Sequence, residues 1–514
     1  MQPTTPPTLV SRNVAFLLGA IGTLICAHVL FLRSVTQGIG LAVDFMPYTL
    51  PVHDLLNGNP FMMIHHPPLY SLAIFVVARI GQVDPFAAAQ LVQWACYLTL
   101  PLIAGWMIWR LTPGSTLPAL FVMVTLATSP YVLDLGAQIA SEHLFGVFNL
   151  VALAALIFHL TGARSAIWWW TSAVATALAV LTRYAGVGLV VALGLLLLVQ
   201  RKAWSQRWRE TAITSAIALT PLALYVLWNY LRSGQTVNRE FSFKGVPWHK
   251  LDHGLHVMTT WWAPQPLVTR PLALLTIGLV ALAWFAFARQ GARSKEPWPN
   301  HCAIALRVLG IFSGIYLAFI FACMIFADAW IPFDHRILFP VQLAATAATA
   351  LAAAMIAPRS AAGRLAVGLI LLALMLLNVR RGWLMSADYA EKGIGYATLV
   401  SDHTPWAEQI RHLPSTALII SNRPELVYCY TQRTVTGLPA TFDFLNGRPA
   451  RDLETAVTSL GRQVEQAPDT FFIQFNESNL DTIPVEKIFK RTPFHLILRS
   501  AQGTLWHHSP SSQL

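Results

Sequence analysis

The chain has 514 residues, 55% of them hydrophobic and 11% charged. Ordinary soluble domains carry roughly 25% charged residues, so the composition excludes a water-soluble globular protein. The net charge of +11 does not point to nucleic acid: residues 380–514 hold 13 Lys or Arg against 13 Asp or Glu, so the basic excess lies among the apolar runs, where it is first a topology signal.

The first apolar run, Val14 to Leu32, has no small-residue cleavage site and is followed by many more. It reads as a retained membrane helix rather than a signal peptide. The next, within "MIHHPPLYSLAIFVVARIGQ" (63–82), opens on two prolines, and Pro67 to Gly81 falls short of the ~20 residues that cross a bilayer. Apolar runs follow at 86–109, 115–133, 142–160, 166–181, 185–199, 211–231, 270–288, 304–327, 337–357 and 365–379. Charge decides whether 67–81 crosses. If it does not, the inner loops carry 13 basic residues, among them Arg110, Arg164, Arg201 and Arg209, against two acidic ones, Glu210 and Glu296. If it does, the Arg201–Arg209 cluster lies outside, against the positive-inside rule. The expectation is therefore eleven spans, a juxtamembrane helix at 67–81 in the outer interface, a cytoplasmic N-terminus and an external C-terminal tail. The runs flanking "LTRYAG" (181–186) could form one broken helix; counting them as two keeps Arg164 and Arg201 inside.

Beyond Arg380 the character changes. "TALIISNRPELVYCY" reads as a strand followed by a helix, and "LETAVTSLGRQVEQA" as an amphipathic helix. "TFFIQF", "FHLILRS" and "GTLWHH" read as strands, the last two joined by a turn containing Gly503. The expected domains are a transmembrane unit over 1–379 and a small α/β domain over 380–514. The five cysteines are scattered and form neither a disulfide framework nor a zinc pattern. There is no internal repeat, which weighs against repeat-built transporters, and no GxxxxGK[ST] phosphate loop.

The external face holds the candidate chemistry. Asp44, in "GLAVDFMPYTLPVHDLL", lies close behind the first span, either as a solvated loop acid or N-cap, or as a functional carboxylate at membrane depth, where charge is costly. Glu142, in "QIASEHLFGVFNL", stands where the chain re-enters the membrane. It suits the first turn of a helix through the dipole, or it pairs with Asp44 in one site. Cations reach the same level: Arg183 in "LTRYAG", Arg336 in "IPFDHRILFP", His65 and His66 before the two prolines, and Arg239 and Lys244 in the outer loop 232–269. Arginine matches phosphate geometry, although a single arginine at a span end also serves as a snorkelling anchor. His249, His253 and His256 stand at helical spacing without an HExxH-type motif, so a zinc centre lacks support. A divalent cation shared by Asp44 and Glu142 is a further candidate.

With these motifs in this order, the chain resembles the GT-C membrane glycosyltransferases, most of all the lipid A aminoarabinose transferases and protein O-mannosyltransferases. The resemblance is best over the first ~200 residues: an Asp in a long first outer loop, "HPPLY" opening a juxtamembrane helix, an acid in "SEHLF", and "LTRYAG". A later "HRILFP" and a C-terminal soluble domain also fit. It implies a mainly α, polytopic GT-C fold with a small external α/β domain. It also implies transfer of a sugar from a polyprenyl-phosphate carrier at the outer face; displacement of the phosphate in a single step by a hydroxyl of a lipid, glycan or protein predicts inversion. Asp44 is then the catalytic base and Glu142 the second acid. His66, Arg183 and Arg336 hold the donor phosphate; apart from that carry-over, Tyr70, Arg239 and Lys244 are candidate lid or donor contacts. "SEHLF" departs from the family in having no DxD-like pair, which leaves metal dependence open. The rival readings are a flippase for lipid-linked sugars, disfavoured because the charges lie at span ends, and a non-catalytic subunit of an envelope-glycan assembly complex.

Overall fold

The structure is a computed structural model that describes residues 9–508 apart from 42–43, 62–65, 114, 164–165, 201, 234–240, 262–277, 279–280, 287–288, 291–296, 329–330, 357–360, 401–404, 444–447, 451–452, 468 and 477–493. The chain is a multi-pass membrane protein built on helices. Helix α1 (Leu9–Ser34) is followed by a helical hairpin, α2 (Phe45–Leu56) and α3 (Leu69–Gly81), and then by the long α4 (Pro85–Leu111). Asp84 starts α4 by accepting from the N–H groups of Phe86 and Ala87 at 2.9 and 3.1 Å, with Pro85 at the first position, where no N–H is needed. Helix α3 has 13 residues, about 20 Å at 1.5 Å per residue, against ~30 Å of bilayer hydrocarbon. The segment read as juxtamembrane is thus shorter than the hydrocarbon is thick.

Helices α5 (Leu117–Thr128) and α6 (Pro130–Gly136) form one apolar run broken by 53°. Pro130 has no N–H to donate, and Ser129 before it adopts an extended conformation. Then come α7 (Glu142–Phe158), a π-helical turn at His159–Ala163, α8 (Ala166–Thr182), α9 (Gly186–Leu198), α10 (Trp204–Ser233) and α11 (Trp248–Thr260). Helices α12 (Pro297–Phe326), α13 (His335–Ile356) and α14 (Ala361–Lys392) complete the membrane part. Among the described residues, seven helices are long and apolar enough to cross a membrane, or eight with the bent α5–α6 pair, and the shorter α8 and α9 are separate apolar helices. The run at 270–288 lies largely outside the described residues. Helix α14 continues to Lys392, past the change of composition at Arg380.

Burial sorts these helices. Helices α7 and α13 are the most enclosed spans, whereas α1, α10 and α14 turn large apolar side chains outward, as lipid-facing helices do. The central pair therefore begins close to the core with polar residues, the buried Glu142 on α7 and the half-buried His335 and Arg336 on α13.

The C-terminal unit contains α15 (Tyr396–Val400), α16 (Pro405–Arg411), β1 (Leu418–Ser421), α17 (Pro424–Thr431), β2 (Thr436–Gly437), a small β3–β4 ribbon (Phe442–Asp443, Arg448–Pro449), α18 (Leu453–Gln466), β5 (Thr470–Phe475), β6 (His495–Arg499) and β7 (Gly503–His508). Its five-stranded sheet runs β2-β1-β5-β7-β6, with β1 parallel to β2 and β5, and β7 antiparallel to β5 and β6. The strand–helix unit, the amphipathic helix and the final hairpin expected from sequence are all present. The unit docks on the membrane part through aromatic rings: Tyr396 and Tyr428 lie 5.9 and 6.1 Å from Phe45, and Tyr428 packs edge-on against Phe86 at 5.8 Å.

Gly382 lets α14 approach the break after α5, since a Cβ there would lie 2.4 Å from the Thr128 carbonyl oxygen. Gly382→Val should force the two segments apart, an overpacking change worth about 1–3 kcal/mol, and lower the thermal-unfolding midpoint in detergent. An unchanged midpoint would contradict this packing.

Candidate active site

Three helix N-termini converge on one cluster. Asp44 stands at the N-cap of α2, Glu142 is the first residue of α7, and Arg336 lies in the first turn of α13. The positive ends of these helix dipoles favour anionic groups here. The Arg336 guanidinium joins the acids: Nε donates to Glu142 Oε1 at 2.9 Å, and Nη2 donates to Asp44 Oδ2. Arg183, in the corner between α8 and α9, places Nη1 2.8 Å from the same Glu142 oxygen and 3.0 Å from Ser141 Oγ. Four residues singled out by sequence are thus brought together, although Asp44 and Arg336 are nearly the length of the membrane part apart in the chain.

The two acids are not equivalent. The Glu142 side chain is 1% exposed and its oxygen is shared by two guanidinium groups, whereas the Asp44 side chain is 31% exposed. Burial works against ionising Asp44, but Arg336, and after it His66, hold its carboxyl below the usual carboxylate range. Glu142 Oε2 is buried and makes no hydrogen bond among the described residues.

Tyr48, one helical turn after Asp44, completes the floor. Its hydroxyl lies 2.8 Å from Ser141 Oγ and 3.4 Å from His66 Nδ1, and its ring faces that of His66 at 4.6 Å. Burial pushes its phenol up, so it stays protonated. Ser141 thus spends its hydroxyl on Tyr48 and Arg183 and makes no side-chain cap bond to α7. Tyr70 is fully buried, edge-on to Tyr48 at 5.0 Å; it supports the floor. Lys244 donates to the Ala327 carbonyl at 2.9 Å, beside the pocket described next. Arg239 and His65 lie outside the described residues.

A cavity of about 250 Å³ opens beside the cluster. His66, Arg183 and Asp328 line it with Phe241, Phe319, Ile320, Cys323 and Ile337. His66, Arg183 and Asp328 are the polar groups in an otherwise largely apolar lining, which suits an amphiphile with a polar head.

The segment bearing Asp44 is braced from two sides. Gly40 N–H donates to the Ala137 carbonyl at 2.7 Å and its carbonyl accepts from Ile139 at 2.9 Å, while Leu41 and Tyr396 bridge at 3.1 Å. A Cβ at Gly40 would lie 2.8–2.9 Å from Gln138, Ala137 and Ile394, so only glycine fits this approach.

The fold can now be set beside known ones. No protein-family model and no curated protein matches the chain. A crystal structure of ArnT from Cupriavidus metallidurans bound to undecaprenyl phosphate aligns with TM-score 0.61 and 14% identity, over 98% of this chain and 99% of that one. The chain has the GT-C fold. The apo state of the same ArnT aligns with TM-score 0.55 at 14% identity, over 98% of each chain. The Archaeoglobus fulgidus oligosaccharyltransferase in complex with Zn and sulfate aligns with TM-score 0.48 and 12% identity, over 88% of this chain and 68% of that one.

The GT-C fold raises the question of a metal. Among the described residues no group of three His, Cys, Asp or Glu has ligand geometry. The two acids suited to share a divalent ion instead share Arg336, whose guanidinium stands between them. Among the described residues the acids thus hold an arginine rather than a set of metal ligands, and no step below is routed through a metal.

The unequal burial of the acids sets a ranking. Glu142→Ala strands two arginines in an enclosed site and should cost about 3 kcal/mol or more. Asp44→Ala removes a partly exposed partner and should cost about 1 kcal/mol. Thermal unfolding of the purified variants checks the order; equal or reversed losses would contradict it.

Proposed function

We propose that the protein is an inverting glycosyltransferase that moves a sugar from a polyprenyl-phosphate carrier to an acceptor hydroxyl at the outer face of the membrane. The observation carrying this reading is the Asp44–Arg336–Glu142 bridge beside a largely apolar pocket lined by Arg183 and His66. The GT-C fold is consistent with it, and ArnT of that fold is solved with undecaprenyl phosphate.

In this reading the carrier phosphate enters between Arg183 and Arg336, with His66 at its side, and the first isoprenoid units lie among Phe319, Ile320 and Ile337. The acceptor oxygen attacks the anomeric carbon as the bond from that carbon to the phosphate oxygen breaks. The electron pair leaves on polyprenyl phosphate, whose growing charge the arginines stabilise. The acceptor proton passes to Asp44, the more exposed acid. Glu142 stays buried and fixes both guanidinium groups. A phosphate is a stable leaving anion and needs cations rather than a proton, so one base suffices. A single displacement inverts the configuration of the anomeric carbon. Positive-inside charge supports an external site.

The bridge also tunes the base. While Arg336 pairs with Asp44, the carboxylate is ionised but weakly basic. An incoming phosphate competes for the guanidinium, which raises the proton affinity of Asp44 when the donor is bound.

Two outcomes follow for purified protein supplied with polyprenyl-phosphate-linked sugars, with release of polyprenyl phosphate as the readout. Asp44→Asn should lower turnover by about 10²–10⁴-fold, the range for general base catalysis, with donor affinity retained; turnover near wild type would overturn the assignment. The acid limb of kcat/KM, which reports the donor-free enzyme, should lie below about pH 4, the ordinary Asp value. The limb of kcat should lie higher. Coincident limbs would contradict transfer of Arg336 from Asp44 to the phosphate.

A further inference from the structure

On the far side of the first turn of α13, a second polar cluster uses none of the residues assigned above. Asp134, on the short α6 created by the break at Pro130, is its centre. Its Oδ2 lies 2.8 Å from His335 Nε2. Its Oδ1 accepts from the Tyr389 hydroxyl and, at 2.6 Å, from Gln138 Nε2. These partners sit on three segments: His335 on α13, Tyr389 near the end of α14, and Gln138 on the strand-like stretch leading to Glu142. The His335 ring is also stacked on Tyr131 at 5.4 Å.

Two arms of the cluster, His335 and Gln138, lead to members of the acid–arginine bridge. His335 immediately precedes Arg336. Successive residues on a helix point about 100° apart, so one turn is held by Asp134 on one side and by the two acids on the other. Asp334 caps the same turn, accepting from the N–H groups of Arg336 and Ile337 at 2.9 and 3.3 Å. Gln138 is bridged to Gly40, four residues before Asp44. Its carbonyl accepts from the Gln93 amide at 2.6 Å, and the Ala140 carbonyl takes a second bond from that amide. Asp134 thus ties together the backbones that carry Arg336, Asp44 and Glu142.

We propose that Asp134 and His335 are positioning residues that hold Arg336 and Asp44 in the geometry required for transfer. This rests on the glycosyl-transfer reading. The warrant is steric and hydrogen-bonded. An arginine side chain has many rotamers, so its head is only as well placed as its backbone and partners make it. A shift of about 1 Å in such a site costs of order 10²-fold in rate. The break at Pro130 costs helical hydrogen bonds in an apolar setting, and it is what delivers a carboxylate to this spot.

The test uses the full-length protein with His335→Ala, His335→Gln and Asp134→Ala. Glutamine can present an N–H where Nε2 stood. His335→Ala and Asp134→Ala should lower kcat by about tenfold or more, counted per polyprenyl-phosphate-binding site, with KM for the donor within about threefold. His335→Gln should recover most of the loss, which a purely volume-filling histidine would not allow. Independently of activity, amide hydrogen exchange at residues 38–41 and 334–338 should quicken together in both alanine variants. Alanine variants turning over like wild type, a glutamine variant as slow as alanine, or unchanged exchange in either segment would overturn the proposal. A wild-type protein that transfers no sugar would instead sink the glycosyl-transfer reading, and the exchange data alone would then decide whether Asp134 and His335 hold the two segments.

Discussion

The site depends on one guanidinium shared between two carboxylates in a place where charge is expensive. Arg336 reaches both Glu142 and Asp44, and Arg183 adds a second cation to Glu142. Removing ions from water costs several kcal/mol each unless they are paired and hydrogen-bonded, so none of the four can be placed alone. Their mutual pairing requires that the starts of α2, α7 and α13 meet at one level, and the rest of the membrane part is arranged around that meeting. The enclosed spans α7 and α13 carry the charges at their first turns, where helix dipoles add to the stabilisation of the acids. Lipid-facing spans surround them.

The same arrangement gives the two acids different work. Glu142 is enclosed and saturated with arginine on one oxygen, which suits an anchor. Asp44 is tethered by a segment braced at Gly40 and Leu41 and capped by a helix whose first residue, Phe45, is clamped by Tyr396 and Tyr428 of the C-terminal unit. The C-terminal sheet unit is therefore coupled through aromatic packing to the residue next to the exposed acid.

Much of this was legible in the sequence because membranes impose simple rules. Apolar run length located the long membrane helices and the short α3, and the ionisable residues at span ends pointed to Asp44, Glu142, Arg183 and Arg336. What escaped was pairing across long separations. The "outer loop" after α1 contains α2, whose apolar face was hidden among prolines, and with it Tyr48, four residues after Asp44 at helical spacing. Asp134 gave a faint signal as an acid just after a Ser-Pro break within an apolar run, but its partners, His335 and Tyr389, lie about 200 and 250 residues on. No local period encodes such contacts. Ser141 stands at the N-cap position of α7, but its hydroxyl is drawn to Arg183 and Tyr48, since a charged donor outcompetes a backbone amide.

The most direct measurement is a structure of the protein with polyprenyl phosphate bound. The account predicts phosphate oxygens about 3 Å from the guanidinium nitrogens of both Arg183 and Arg336, the isoprenoid chain in the pocket lined by Phe319 and Ile337, and the Asp44 carboxylate released from Arg336. A phosphate seated away from both arginines, with the Asp44–Arg336 pair intact, would contradict it.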